Sequence, residues 1–198
     1  PRASPSSPSA WVAPGTSPAP PLPRPPPVEP LVFAEWLDGG QAFRWHRIAD
    51  KSAPTFEGGW SVHHVRLRLA PAAISSSASS SPALEFSTPV HLAPAARAAT
   101  AAALHAYLAG PPADPDSLPW RSDPHLATCL GAFPGLTILR QPFGETLLGF
   151  VCSATKQIPQ IKQMLAHLAA RHGRELTPAT THTPAWHALP TWAELASV

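Results

Sequence analysis

Apolar and polar positions alternate most clearly in Val65-Arg66-Leu67-Arg68-Leu69, where the leucines share one face and the arginines the other. Shorter stretches of the same kind are Phe43 to Ile48, Trp60-Ser61-Val62 and Leu84-Glu85-Phe86-Ser87, with a compact apolar run at Leu31-Val32-Phe33. Turn-forming residues separate them: Asp38-Gly39-Gly40, Asp50-Lys51-Ser52 and Gly58-Gly59. Residues 31–92 therefore read as a β-rich region. Its short connections suit an antiparallel sheet, one face of which needs a cover.

Helical periods follow. Ala95 to Ala109 is alanine-rich, aligns Leu104, Tyr107 and Leu108, and stops at Gly110-Pro111-Pro112. Pro124 to Phe133 reads as a short helix with Asp123 as N-cap and Pro124 in its first position. Glu145 to Ser153 carries Leu147, Leu148, Phe150 and Val151, enough to predict burial nearly all round. Pro159 opens a helix with Ile161, Met164, Leu165 and Leu168 on one stripe, Arg171 and His172 in its last turn, and Gly173 at its end. Thr191-Trp192-Ala193-Glu194 has the spacing of a capping box. Only four residues follow, so the 198 residues read as part of a longer chain. The pattern predicts an α+β fold: an antiparallel β domain with a helix over 29–110, then helices over 111–198.

Composition changes this picture at the N-terminus. Twelve of the 28 prolines fall in the first 30 residues. A segment with so little apolar periodicity cannot offset its ordering entropy, so residues 1–28 read as a disordered, partly polyproline tail. Its run Pro20-Pro21-Leu22-Pro23-Arg24-Pro25-Pro26-Pro27 serves as a linker or docks in an aromatic groove. Ser75 to Ser81 reads as a mobile loop. The remaining ~170 residues suffice for one good core or two small ones. There is no apolar run of membrane-spanning length and no signal-peptide layout. Cys129 and Cys152, the only cysteines, sit among apolar neighbours and read as reduced core residues. A net charge of +2, with eleven arginines and three lysines, neither demonstrates nor excludes nucleic-acid binding.

Chemistry has few candidates. His63 and His64 are adjacent on a strand and point to opposite faces, which argues against a shared metal. No phosphate loop, dinucleotide fingerprint or nucleophile elbow occurs. None of Lys51, Lys156 and Lys162 is marked as a desolvated nucleophile. Two segments remain. Gly39-Gly40-Gln41-Ala42-Phe43-Arg44-Trp45 places bare backbone just ahead of a strand, where a main-chain carbonyl can face a ligand; a hairpin turn reads the same locally. Cys152-Ser153-Ala154-Thr155-Lys156-Gln157-Ile158-Pro159 is polar between two apolar helices. Helix-terminal amides beside Lys156 suit a phosphate backbone, and a plain helix connector reads the same locally.

The order of these segments resembles one family. Gly40-Gln41-Ala42-Phe43-Arg44-Trp45 is similar to the Gly-Gln-small-Phe-Arg-Trp segment of 8-oxoguanine DNA glycosylases. Leu139-Arg140-Gln141, Glu145, Phe150-Val151-Cys152-Ser153, Ile158, Leu189-Pro190, Trp192 and Leu195 follow that family's pattern in order and spacing. The resemblance runs from about Leu31 to Val198. It implies a β domain like the TATA-binding-protein fold, followed by the first helices of a helix-hairpin-helix glycosylase body. It implies base-excision repair of damaged duplex DNA by base flipping, in a cofactor-free, metal-free monomer that resides with the genome in the nucleoid or nucleus. The family's catalytic lysine and aspartate are expected beyond Val198. The same likeness leaves apolar helix faces here to meet a further helical body.

The resemblance also assigns sites. Gly40 matches the glycine whose carbonyl accepts the N7 hydrogen that 8-oxoguanine has and guanine lacks. Ser153, Thr155, Lys156, Gln157 and Gln160 become the DNA-binding candidates. Here the sequence departs from the family, whose eukaryotic members carry asparagines in place of Thr155, Lys156 and Gln157. At Gln160 they carry an arginine that reads the opposite cytosine. Cytosine selectivity therefore does not carry over. An alkylated-purine glycosylase on the same scaffold and a catalytically inert DNA-binding module are the competing readings.

Overall fold

The computed structural model describes residues 10–13, 30–50, 52–70, 83–109, 122–181 and 183–198. The proline run 20–27, the serine-rich loop 75–81, the stop at Gly110-Pro111-Pro112 and Lys51 lie outside them. In chain order the elements are β1 (Trp11–Val12), α1 (Pro30–Asp38), β2 (Trp45–Ile48), β3 (Thr55–Trp60), β4 (His63–Ala70), β5 (Ala83–Pro89), α2 (Pro94–Leu108) and α3 (Pro124–Ala132). There follow α4 (Phe143–Cys152), α5 (Ile158–His172), β6 (Glu175–Thr177), β7 (Trp186–His187) and α6 (Trp192–Leu195).

The sheet is antiparallel with strand order β1-β5-β4-β3-β2. Strands β2, β4 and β5 follow the alternation in the sequence, whereas β3 spans the Gly58-Gly59 pair read as a turn. Phe56 on β3 and Val65, Leu67 and Leu69 on β4 point to one face. There they meet Val32, Phe33, Trp36 and Leu37 of α1 and Leu104 and Tyr107 of α2. Burying each such side chain contributes roughly 1.5–3 kcal/mol. The fold class is the predicted α+β.

Several local expectations change. Leu31-Val32-Phe33 belongs to a helix, because Trp36 and Leu37 continue its apolar face at helical spacing. Gly39-Gly40 therefore connects a helix to a strand and is not a hairpin turn. Gly58-Gly59 lies inside β3, where Trp45 and Trp186 press against the glycine backbone; the turn falls at Ser61, whose φ is +48°. Of Trp60-Ser61-Val62, only Trp60 is in a strand. Trp11-Val12, within the stretch read as a tail, pairs with Thr88 and Pro89.

The helices hold closely to expectation in position and less so in burial. Asp123 caps α3, its Oδ1 accepting from the amides of His125 (2.8 Å) and Leu126 (3.1 Å). No residue of α3 is buried, so Cys129 is exposed and not a core residue; Cys152 is half-buried. On α4 only Leu148 and Gly149 are buried, while Phe143, Leu147, Phe150 and Val151 are exposed, against the expectation of burial all round. On α5 Ile161 and Leu165 are buried as read and Met164 is exposed; Lys162 and Ala169 join the buried set. Thr191 and Glu194 form the predicted capping box. The hairpin β6–β7 was not anticipated.

Candidate functional site

The two segments singled out in the sequence meet in space. α1 ends at Asp38, and Gly40 turns the chain toward β2 with φ +98°, a conformation L side chains rarely adopt. A β-carbon built on Gly40 would lie 3.3 Å from Cδ1 of Ile158, the first residue of α5. Gly40 thus sits directly against the end of the second segment, 118 positions away. No hydrogen bond to the Gly40 carbonyl is found among the described residues.

Gln41 makes the next connection. Its Nε2 donates to the Thr137 carbonyl (3.2 Å) and its Oε1 accepts from the Leu139 amide (2.9 Å). Its own carbonyl accepts from Gln141 Nε2. Both glutamines belong to the residues that carry the family resemblance, and their bonds lace the Gly40 turn to the irregular stretch before α4. Phe43 then leaves the sheet core and enters a second cluster with Leu148, Ile161, Leu165, Ala169 and Leu189. Its ring meets Phe150 edge-on at 5.4 Å. Trp45, two residues on, faces the first core and donates from Nε1 to the Tyr107 hydroxyl at 3.1 Å. The Phe-Arg-Trp alternation is therefore a bridge between two cores, not one half-buried strand.

Arg44 lies between them. Its guanidinium stacks 4.8 Å from the Trp186 ring centroid and donates to the His187 carbonyl at 2.5 Å. Burial holds its pKa down to about 10, with Glu145 opposing. Burial likewise pushes the Glu145 carboxyl up, against the Ser61 amide it accepts from (2.7 Å) and the charge of Arg44. Two opposite charges each moved toward neutrality are neighbours, not a tight ion pair. With Gln41, Phe43, Tyr107, Gln141, Thr146 and Phe150 they line a small open cleft. Gly40 borders this cleft's rim through Gln41 and does not line it.

The remaining candidates lie in the connector between α4 and α5 and, for Gln160, in the first turn of α5. Thr155 takes φ +61°, Ser153 Oγ donates to the Phe150 carbonyl (2.7 Å), and Lys156 N donates to the Ser153 carbonyl (3.0 Å). Gln160 Oε1 accepts from the Gln157 amide (3.0 Å), so part of its amide group serves the helix terminus. Thr155, Lys156, Gln157 and Gln160 are exposed beside the Gly40 turn, and Ser153 is partly so. His63 and His64 point apart as expected: His63 Nδ1 lies 3.0 Å from Thr100 Oγ1, and His64 Nδ1 lies 2.8 Å from Thr177 Oγ1. No group of three metal-ligating side chains occurs among the described residues, and no helix there is long and apolar enough to cross a membrane.

Sequence reasoning missed Lys162. It is 9% exposed, and its Nζ donates to Asp38 Oδ1 and to the Trp45 carbonyl. The available signal was a lone cation beside the apolar stripe of α5, but its partners lie more than 110 residues upstream.

The fold is shared with about half of each of several solved 8-oxoguanine glycosylase structures. The chain is similar to the Clostridium acetobutylicum 8-oxoguanine glycosylase/lyase in its apo form, at 21% identity and a TM-score of 0.61, over 87% of this chain and 52% of that one. It is similar to the same protein in complex with double-stranded DNA containing cytosine opposite 8-oxoguanine, at 21% identity and a TM-score of 0.61, over 87% and 51%. It is also similar to MBOgg1 in complex with a low-affinity DNA ligand, at 21% identity and a TM-score of 0.58, over 81% and 48%. The chain thus spans about half the length of these structures. No protein-family model and no curated protein matches it.

Proposed function

We propose that this chain is the damage-reading portion of a DNA glycosylase that removes 8-oxoguanine from duplex DNA by base flipping. The carrying observation is that a β-carbon on Gly40 would stand 3.3 Å from Ile158 Cδ1, which brings the two family-like segments together at a partly exposed place. The chemistry follows from the purine. Guanine N7 is an acceptor and repels a carbonyl, whereas the N7–H of 8-oxoguanine donates to it. A glycine in this turn brings its carbonyl to the base without a side chain in the way. Ser153, Thr155, Lys156, Gln157 and Gln160 then face the DNA, with Lys156 toward phosphate.

Catalysis is assigned to a lysine and an aspartate outside this chain. Lys162, the buried lysine, has its ammonium engaged by Asp38 and Trp45 and is not assigned the nucleophile's role. Opposite-base selectivity is not part of the proposal, because Gln160 departs from the family and helps cap α5. The test is Gly40→Val in a longer protein that carries this chain. Excision of 8-oxoguanine should be lost while undamaged-duplex binding persists. Unchanged excision contradicts the proposal, and excision of alkylated purines in place of 8-oxoguanine favours the competing substrate.

A further inference from the structure

We propose that Lys162 is a positioning residue that sets the place of the Gly40 carbonyl, an inference that rests on the reading of Gly40 given above. A single ammonium fastens both ends of the turn. It donates to Asp38, the residue before Gly39-Gly40, and to the carbonyl of Trp45, the first residue of β2 at 2.5 Å. The six residues between are Gly39 to Arg44, which include the whole lesion-facing stretch.

Three features make Lys162 a positioning device and not a generic core contact. First, Ile158 and Lys162 are four apart on α5 and share a face. One helix face therefore presents the methyl that abuts Gly40 and the cation that holds the turn's ends. Any shift of α5 moves both together. Second, the turn has little slack near its start. The Gly39 amide donates to the Glu35 carbonyl (3.1 Å), and a β-carbon on Gly39 would stand 2.5 Å from that oxygen. Third, the two partners differ in exposure. Asp38 is 43% exposed in its side chain and can be hydrated, but the Lys162 bond to Trp45 is buried. Loss of the ammonium therefore removes a donor from a buried carbonyl at the far end of the turn and loosens the chain there.

The test compares wild type, Lys162→Met and Asp38→Asn, each as the full 198-residue chain. Two readouts are taken: affinity for duplexes with 8-oxoguanine or guanine opposite cytosine at one fixed salt, and amide hydrogen exchange across residues 39–44. Lys162→Met should reduce the 8-oxoguanine preference by about tenfold, the scale of one misplaced hydrogen bond, with guanine-duplex affinity held within about twofold. Exchange should quicken in 39–44 and not in β3 or β4. Asp38→Asn keeps the Trp45 bond and should show a smaller change of the same kind. A parallel loss on both duplexes, or exchange that quickens uniformly, overturns the proposal. If Lys162→Met fails to fold, Asp38→Asn decides: wild-type exchange and preference in that variant overturn it. A wild type with no preference refutes the Gly40 reading instead, and the exchange pattern alone then decides whether Lys162 holds the turn.

Discussion

Gly149→Ala sets two effects of opposite sign against each other. Gly149 lies inside α4, where an exposed glycine replaced by alanine would stabilise the helix by about 1 kcal/mol. Here the added methyl would stand 2.9 Å from Cδ2 of Phe43 and 3.7 Å from Cδ1 of Leu165. Phe43 cannot retreat easily: it is buried, with Phe150 at its edge and Leu165 in the same cluster. Overpacking of this kind costs about 1–3 kcal/mol. The difference is a net loss of up to about 2 kcal/mol. For a chain of this length that lowers Tm by up to about 8 °C. The assay is thermal unfolding of wild type, Gly149→Ala, Phe43→Leu and the double variant. The double variant should recover part of the loss, with a coupling of at least about 0.5 kcal/mol, because the two residues touch. A rise in Tm for Gly149→Ala, or strict additivity in the double variant, would refute the packing of the Phe-Arg-Trp segment onto α4.

Other outcomes follow from the same structure. Gln41→Ala removes the bonds to Thr137 and Leu139 and should cost about 2 kcal/mol in urea unfolding, with 137–141 the first amides to exchange. His64 is 3% exposed, and burial is the main cause holding its pKa below the ordinary 6.5, so its stabilising contribution is present above that value and lost as pH falls through it. Glu145, raised mainly by burial, pulls the other way from its ordinary 4.5 upward. The informative quantity is therefore the difference between wild type and His64→Gln between pH 7.5 and 5.5, where the wild type should lose up to about 1.4 kcal/mol more per pH unit. Borohydride treatment of this chain with 8-oxoguanine duplex should trap no covalent adduct, as judged by denaturing gel; a trapped adduct would make one of its lysines the nucleophile.

What the sequence disclosed and what it hid have physical causes. Strands β2, β4 and β5 were legible because period-two alternation, clearest in Val65 to Leu69, is a local property, and so were the caps at Asp123 and Thr191; β3 was not. α1 was not, because three apolar residues in a row fit a strand or a helix, and only Trp36 and Leu37 separate the two. Gly58-Gly59 misled because a glycine pair signals a turn unless large rings cover it, and here the covering rings of Trp45 and Trp186 come from distant sequence. Exposure along α4 was misjudged because apolar content does not say what packs on each face. At the proposed site, the positive φ of Gly40 was legible from the glycine pair. Arg44 and Lys162 were not, since a buried cation looks like a surface one until its acceptors at His187, Asp38 and Trp45 are known.

The central claim is that the Gly40 carbonyl distinguishes one N7–H from a bare N7. The direct measurement is the affinity of this chain for two duplexes that differ only in 8-oxoguanine against guanine, at fixed salt, for wild type and Gly40→Ala. The account predicts that the wild type prefers the 8-oxoguanine duplex by about tenfold or more. It also predicts that the variant, strained at φ +98° and crowded by Ile158, binds both duplexes alike at the wild type's guanine affinity. Equal wild-type affinities, or a preference that survives in Gly40→Ala, would contradict it.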